Sequence, residues 1–303
     1  MQAIVLGSAA GGGVPQWNCR CPVCSLAWAG DPRVAPRTQS SLAVSADGVS
    51  WLLLNASPDL RAQIQATRAL QPRLGERHSP IGAVVVTNGD VDHIAGLLTL
   101  RESQPFTLFG TAETLAMVGA NPVFQVVNPA VVPRRTVALG EVFEPLPGLA
   151  LEMFAVPGKV PLWQEDPRPE EHVLVGAETG GTVGVTITAD GKRLVYIPGC
   201  AAVSDTVRKR IAGADLLLFD GTLYRDDEML AAGTGVKTGA RMGHLSMSGA
   251  EGTVALLAGL SVGRRVFVHI NNTNPALVDG SPERQAVEQA GWIVARDGME
   301  FAL

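Results

Sequence analysis

Residues 84–100 read VVVTNGDVDHIAGLLTL. A β-branched run, Val84 to Val86, gives way to a short polar loop that carries Asn88, Asp90, Asp92 and His93, and an apolar, helix-like stretch follows. Val and Ile suit extended backbone, whereas Asn, Gly and Asp suit turns. Strand, acidic loop and helix in that order are how α/β proteins set polar side chains at the carboxyl end of a buried strand, where their sites form. The layout is that of a metal-binding loop, yet it holds a single histidine.

Further strands are expected at Ala3–Leu6, Ser41–Val44, Trp51–Leu54, Phe106–Phe109, Leu151–Val156 and Val173–Val175. Val183–Ile187, Leu194–Ile197, Leu216–Phe219 and Val266–His269 complete the set. Several are nearly continuous in apolarity, as strands covered on both faces are. Helices are expected at Asp59–Leu70, Ile94–Glu102, Ala112–Gly119, Ser204–Ala212, Met247–Ala258 and Pro282–Ala290, with Ser204 and Ser281 as N-caps. Hairpin-like pairs mixed with strand–helix alternation point to layered sheets with helices outside. The 303 residues are read as one domain, 1–303. Pro157–Pro169 and the Gly-rich Leu230–Gly243 are loops beside this framework.

With 46% hydrophobic residues the chain can bury a large core, and a net charge of −5 without basic runs argues against nucleic acid. No apolar run reaches the ~18 residues of a membrane span. The opening MQAIVLGSAAGGGVPQ reads as a strand and a glycine loop rather than a signal peptide, so the cytoplasm is expected. Oligomeric state is left open, a homodimer among the options.

Three of the four cysteines, Cys19, Cys21 and Cys24, form C-x-C-x-x-C. Clustered thiols in a reducing compartment are more often metal ligands than disulfides, so a structural Zn(II) is expected, its fourth ligand a distant His, Asn or Asp. Of the five histidines, His78 and His172 lie in polar contexts and are read as surface residues. His93 and His269 stand at strand ends, and His244, in RMGHLSMSGA, is an acid, a substrate contact or a helix-start residue. Asp220, in LLLFDGTLY, is a site carboxylate or a turn residue.

Taken together, LGSAAGGGVPQWNCRCPVC, RTQSSLAV, LLLNASPDLR, VVVTNGDVDHIAGLL, YIPGC and FVHINNTNP resemble the metallo-β-lactamase superfamily across essentially the whole chain. The resemblance implies a four-layer αββα sandwich with metals at one edge of its two sheets. The hydrolases of that superfamily carry H-x-H-x-D-H, a distant His, a bridging Asp and a last His. Here Asn88 and Asp90 stand for the first two His, Lys159 for the distant one and Cys200 for the bridge, while Asp92, His93 and His269 are kept. A single metal position therefore survives, which accounts for the lone histidine. Relatives with the cysteine cluster take a fourth zinc ligand shortly after the last His, which points to Asn272.

Two His and one carboxylate with open positions are the set used by non-haem Fe(II) oxygenases. The branch resembled serves pyrroloquinoline quinone biosynthesis. It implies an Fe(II)- and dioxygen-dependent hydroxylase acting on the tyrosine ring of a cross-linked Glu–Tyr diamino acid. Asp92, His93 and His269 would hold the iron, with His244 and Asp90 as further catalytic residues. A phosphodiesterase-like hydrolase and a non-catalytic carrier are the alternatives.

Overall fold

The computed structural model describes residues 1–159 and 175–303. Strands β1 (Gln2–Gly7), β2 (Ser41–Ser45), β3 (Trp51–Leu54), β4 (Ile81–Val85), β5 (Thr107–Gly110) and β6 (Arg134–Thr136) come first. Then follow β7 (Val142–Leu146), β8 (Leu149–Gly158), β9 (Ala177–Ala189), β10 (Lys192–Ile197), β11 (Leu216–Asp220), β12 (Arg264–Val268), β13 (Trp292–Val294) and β14 (Glu300–Ala302). Among the described residues they make two seven-stranded sheets, β14-β1-β2-β3-β4-β5-β6 and β13-β12-β11-β10-β9-β8-β7. Each half begins antiparallel and turns parallel, at β3–β4 and at β10–β11. Short turns can join antiparallel neighbours, whereas parallel neighbours need crossovers. The helices are α1 (Pro22–Trp28), α2 (Leu60–Ala66), α3 (Val91–Ile94), α4 (Ala112–Ala120), α5 (Asp205–Ile211), α6 (Glu228–Ala231), α7 (Thr253–Leu256) and α8 (Pro282–Gln289).

Strand periodicity of two sorts the apolar side chains into three cores. Leu52, Leu54, Ala83 and Val85 of the first sheet meet Val185, Tyr196, Leu218 and Val266 of the second in the middle core. Trp51, Leu53, Val84 and Val86 face outward under Leu60, Leu97 and Val118. Val195, Leu217, Phe219 and Phe267 do the same under Val207, Ile211 and Val287. Three cores separate four layers, the αββα sandwich that the sequence pointed to. Each fully buried Leu, Val or Phe side chain contributes roughly 1.5–3 kcal/mol, so the sheets set the site on a rigid base.

The differences from expectation have local causes. Strands β6, β7, β13 and β14 were not foreseen; three have only three residues and the fourth is an edge strand with an exposed Val142. The Asp59–Leu70 helix breaks at Thr67, which is extended (φ −101°, ψ 101°), into α2 and a 3-10 turn. Met247–Ala258 shrinks to α7, because Gly249 is left-handed (φ +92°) and Gly252 packs against the Ser248 carbonyl. The helix expected at Ile94–Glu102 instead begins at Val91 and continues as a 3-10 turn, Ala95–Leu100. Gly96 donates its N–H to Ala56 O at 2.8 Å, an approach that leaves no room for a Cβ. Ser204 and Ser281 cap α5 and α8 as expected. Of the expected strand Val173–Val175, only Val175 is described; most of the Pro157–Pro169 loop, and His172, also lie outside the described residues.

Candidate metal centre

The loop after β4 is fastened on both sides. Thr87 N–H donates to Asn55 Oδ1 at 2.9 Å, and Val183 N–H donates to Thr87 O at 2.9 Å. Ala56 N–H, at the end of β3, donates to His93 O at 2.7 Å. These bonds fix where α3 begins and so where Asp92 and His93 point. His269 follows β12 in a left-handed conformation (φ +54°). Such backbone costs of order 1–3 kcal/mol in a non-glycine residue and persists only where its surroundings enforce it.

Asp92, His93 and His269 each offer a ligand atom within 4.8 Å of the others. His269 Nε2 lies 3.0 Å from Asp92 Oδ2, and His93 Nε2 lies 3.9 Å from the same oxygen. The two imidazole rings are 5.2 Å apart. Among the described residues His93 Nε2 is buried and has no hydrogen-bond partner. Burial alone would raise the Asp92 carboxyl; His93 and the His269 hydrogen bond outweigh it and hold the group well below the usual carboxylate range. Burial pushes the His93 imidazole down, against the pull of Asp92. It acts the same way on His269, but there the Asp92 hydrogen bond wins and the group moves up.

A second group, Asp220, His244 and His269, is equally compact. Asp220 ends β11 fully buried, and its Oδ2 accepts from Cys200 N–H at 2.9 Å and pairs with His244 Nδ1 at 2.7 Å. Thr222 joins the parts: its Oγ1 donates to Asp220 Oδ1 at 2.7 Å and lies 2.8 Å from His269 Nδ1. Burial opposes ionisation of Asp220, yet the His244 contact holds its carboxyl below the ordinary range. The His244 and His269 rings stack at 5.2 Å.

The third group is Cys19, Cys21 and Cys24, all buried and all within 4.8 Å of one another by their sulfurs. Asn272 closes it, its Nδ2 at 3.1, 3.7 and 3.3 Å from the three sulfurs. A terminal amide turns over readily, so the same side chain can present its oxygen to a cation. Cys21 also caps α1 by accepting from Cys24 N–H, and burial pushes its thiol up to about 12. A metal reverses that shift, because only the thiolate ligates.

The open group lines a cleft of about 450 Å³ together with Asp90, Lys159 and His244. The sequence-expected residues Asp90, Asp92, His93, His244 and His269 thus meet at one site, and Asn272 meets the cysteines. His78 is remote from both, accepting from Arg73 N–H through Nδ1. Cys200, expected in place of the bridging carboxylate, lies in none of the three groups; its Sγ donates to Ala202 O at 3.1 Å. The buried carboxylate beside the histidines is Asp220, which the sequence left between site and turn. Thr222 was not foreseen; its only signal is a hydroxyl two residues beyond a strand-end Asp in FDGT.

These features define a protein of the metallo-β-lactamase fold, and residues 50–270 match the Beta-lactamase superfamily domain. The chain belongs, within that superfamily, to the family of coenzyme PQQ synthesis protein B. It is 64% identical over the full length of both chains to the protein of that name from Methylobacterium sp. (strain 4-46). Its structure matches the crystal structure of Zn(2+)-bound PqqB from Methylobacterium extorquens with a TM-score of 0.97 at 63% identity, all of both chains being covered. A diphosphatase from the PhnP family shares the fold at a TM-score of 0.70 and 22% identity, over 99% of this chain and 97% of that one. Among the described residues no helix is long and apolar enough to cross a membrane.

Proposed function

We propose that the chain, as one domain, is an Fe(II)- and dioxygen-dependent hydroxylase of pyrroloquinoline quinone biosynthesis. Its proposed substrate is the cross-linked Glu–Tyr diamino acid, hydroxylated on the tyrosine ring, and its proposed location is the cytoplasm. The observation that carries this reading is the buried, unpartnered His93 Nε2 directed at the oxygen that His269 also faces. A buried polar atom without a partner costs about 1–3 kcal/mol, and a metal at that point removes the cost. Two imidazoles and one carboxylate fit Fe(II) and leave positions for substrate and dioxygen.

When bound, the iron supplies the redox chemistry of oxygen activation. Each hydroxyl group added consumes one dioxygen and two electrons from an external reductant, the second oxygen atom leaving as water. The chain's own residues do the rest. Asp92, His93 and His269 hold the metal. His244, with Nδ1–H given to Asp220, is oriented to exchange a proton with the cleft through Nε2. Lys159, in the wall of the cleft, suits a substrate carboxylate, and Asp90 is an acidic neighbour of the metal. Cys19, Cys21, Cys24 and Asn272 hold a structural Zn(II), which carries no redox chemistry.

The Asp220–His244–His269 group favours a second reading, a two-metal hydrolase. His269 argues against it. A neutral imidazole has one lone-pair nitrogen, so His269 cannot serve both groups while Nδ1 keeps its hydrogen on Thr222. Anaerobic protein loaded with Fe(II) is to be given the diamino acid, a reductant and dioxygen, and separately phosphodiesters with Zn(II) or Mn(II). Oxygen uptake with ring hydroxylation supports the oxygenase. Phosphodiester turnover supports the hydrolase, and binding without turnover of either supports a carrier.

A further inference from the structure

Asn88 stands beside the open centre in the wall of the same cleft, and its side chain is almost fully buried. Its main chain is pinned, since Asn88 bridges to Thr182 of β9 and the preceding Thr87 is held by Asn55 and Val183. Its amide oxygen has two neighbours. Asp90 N–H donates to it at 2.9 Å, and His93 Nδ1 lies 2.5 Å from it.

Hydrogen-bond bookkeeping then leaves one arrangement. A backbone N–H can only donate, so the amide atom facing Asp90 must be the oxygen and the amide cannot be turned over. An amide oxygen can only accept, so the ring nitrogen facing it must carry hydrogen. In a neutral imidazole that leaves the lone pair on Nε2, the buried atom that has no hydrogen-bond partner and lies 3.9 Å from Asp92 Oδ2.

We propose that Asn88 is a positioning residue that fixes His93 in its Nδ1–H tautomer and aims the Nε2 lone pair at the metal position. The chain of cause runs from the Asp90 backbone, through the Asn88 amide, to the His93 ring. Asn88 itself never touches the metal. Ligating histidines are commonly oriented by such outer partners, whose loss costs about 10–100-fold in metal affinity. The inference rests on the metal reading of Asp92, His93 and His269.

The test compares the wild type with Asn88→Leu, which keeps the volume and removes the acceptor, and with Asn88→Asp, which restores an acceptor oxygen. Each is titrated with Co(II), whose visible spectrum reports coordination, while the thermal midpoint of the metal-free chain reports the fold. We expect Asn88→Leu to bind Co(II) about 10–100-fold more weakly with an altered spectrum, and Asn88→Asp to regain both. Wild-type affinity and spectrum in Asn88→Leu, or no recovery in Asn88→Asp, would overturn the proposal. Nitrogen-15 shifts of His93 in the metal-free wild type, in alkaline buffer, decide the point without any substitution. A hydrogen on Nδ1 is expected, and one on Nε2 would contradict the proposal even if every variant misfolds. Failure of the wild type to take up Co(II) at all would instead count against the metal reading, with the nitrogen shifts still judging Asn88.

Discussion

The cysteine group and the histidine–carboxylate group lie on the two sides of the same HINNTN turn, His269 in one and Asn272 in the other. The first supplies four side chains, three buried sulfurs and the Asn272 amide, the number a tetrahedral zinc takes. The second supplies three ligand atoms in the wall of a cleft of about 450 Å³. On the proposed reading, the number of ligands the fold supplies, more than their chemical type, separates a metal that holds structure from one that meets substrate.

The largest effect is expected at the open site. His93→Ala should lower Fe(II) or Co(II) affinity by more than the ~100-fold of an outer partner and abolish oxygen uptake, with the cysteine-bound zinc retained. Elemental analysis with an oxygen electrode checks both halves. At the closed site Cys21→Ser should release zinc and lower thermal stability. A site held a thousandfold above its Kd contributes ~4 kcal/mol, so the melting midpoint is the readout. If Cys21→Ser left stability unchanged and stopped oxygen uptake, the roles assigned to the two groups would be exchanged.

A third change sharpens the comparison within the open cleft. His244→Gln should lower kcat by roughly 10²–10⁴-fold, the usual share of a general acid or base, with metal content unchanged. Loss of a bound metal in that variant would show that the Asp220–His244–His269 group is a second metal site.

Proton competition gives a smaller, graded effect. His269 is raised because Asp92 favours its charged form, so below that raised pKa a proton must leave before Nε2 can ligate. Metal affinity at the open site should therefore fall as pH drops through the His269 pKa and level off above it. His93, pushed down by burial, competes less than an ordinary imidazole would. Metal titrations across pH follow this directly. The smallest effect is expected at Cys200, whose thiol burial pushes up and which lies outside the three candidate groups: Cys200→Ala should leave metal content and turnover near wild type.

Much of this was legible in the sequence because buried strands write their period plainly. Val84–Val86, Trp51–Leu54 and Leu216–Phe219 are continuous apolar runs; apart from Val86, just past β4, they form strands covered on both faces. The edge strands were not legible, since RRT at Arg134–Thr136 buries too little to leave a pattern. His93 and His269 could be singled out because each follows a buried strand, and the resemblance to the metallo-β-lactamase superfamily supplied the ligand set with Asp92. What joins them could not be singled out. Thr222 acquires meaning only when β11 and β12 lie side by side and bring its hydroxyl to His269. The helices were over-extended at Met247–Ala258 for the same reason, because the close packing at Gly252 involves the local fold and not the composition of the window.

The most direct test of the central claim is metal content per chain, measured on anaerobically prepared wild type, His93→Ala and Cys21→Ser. One iron and one zinc are expected in the wild type, with the iron alone lost from His93→Ala and the zinc lost from Cys21→Ser. Three metals in the wild type, or zinc alone with no uptake of iron, would contradict it.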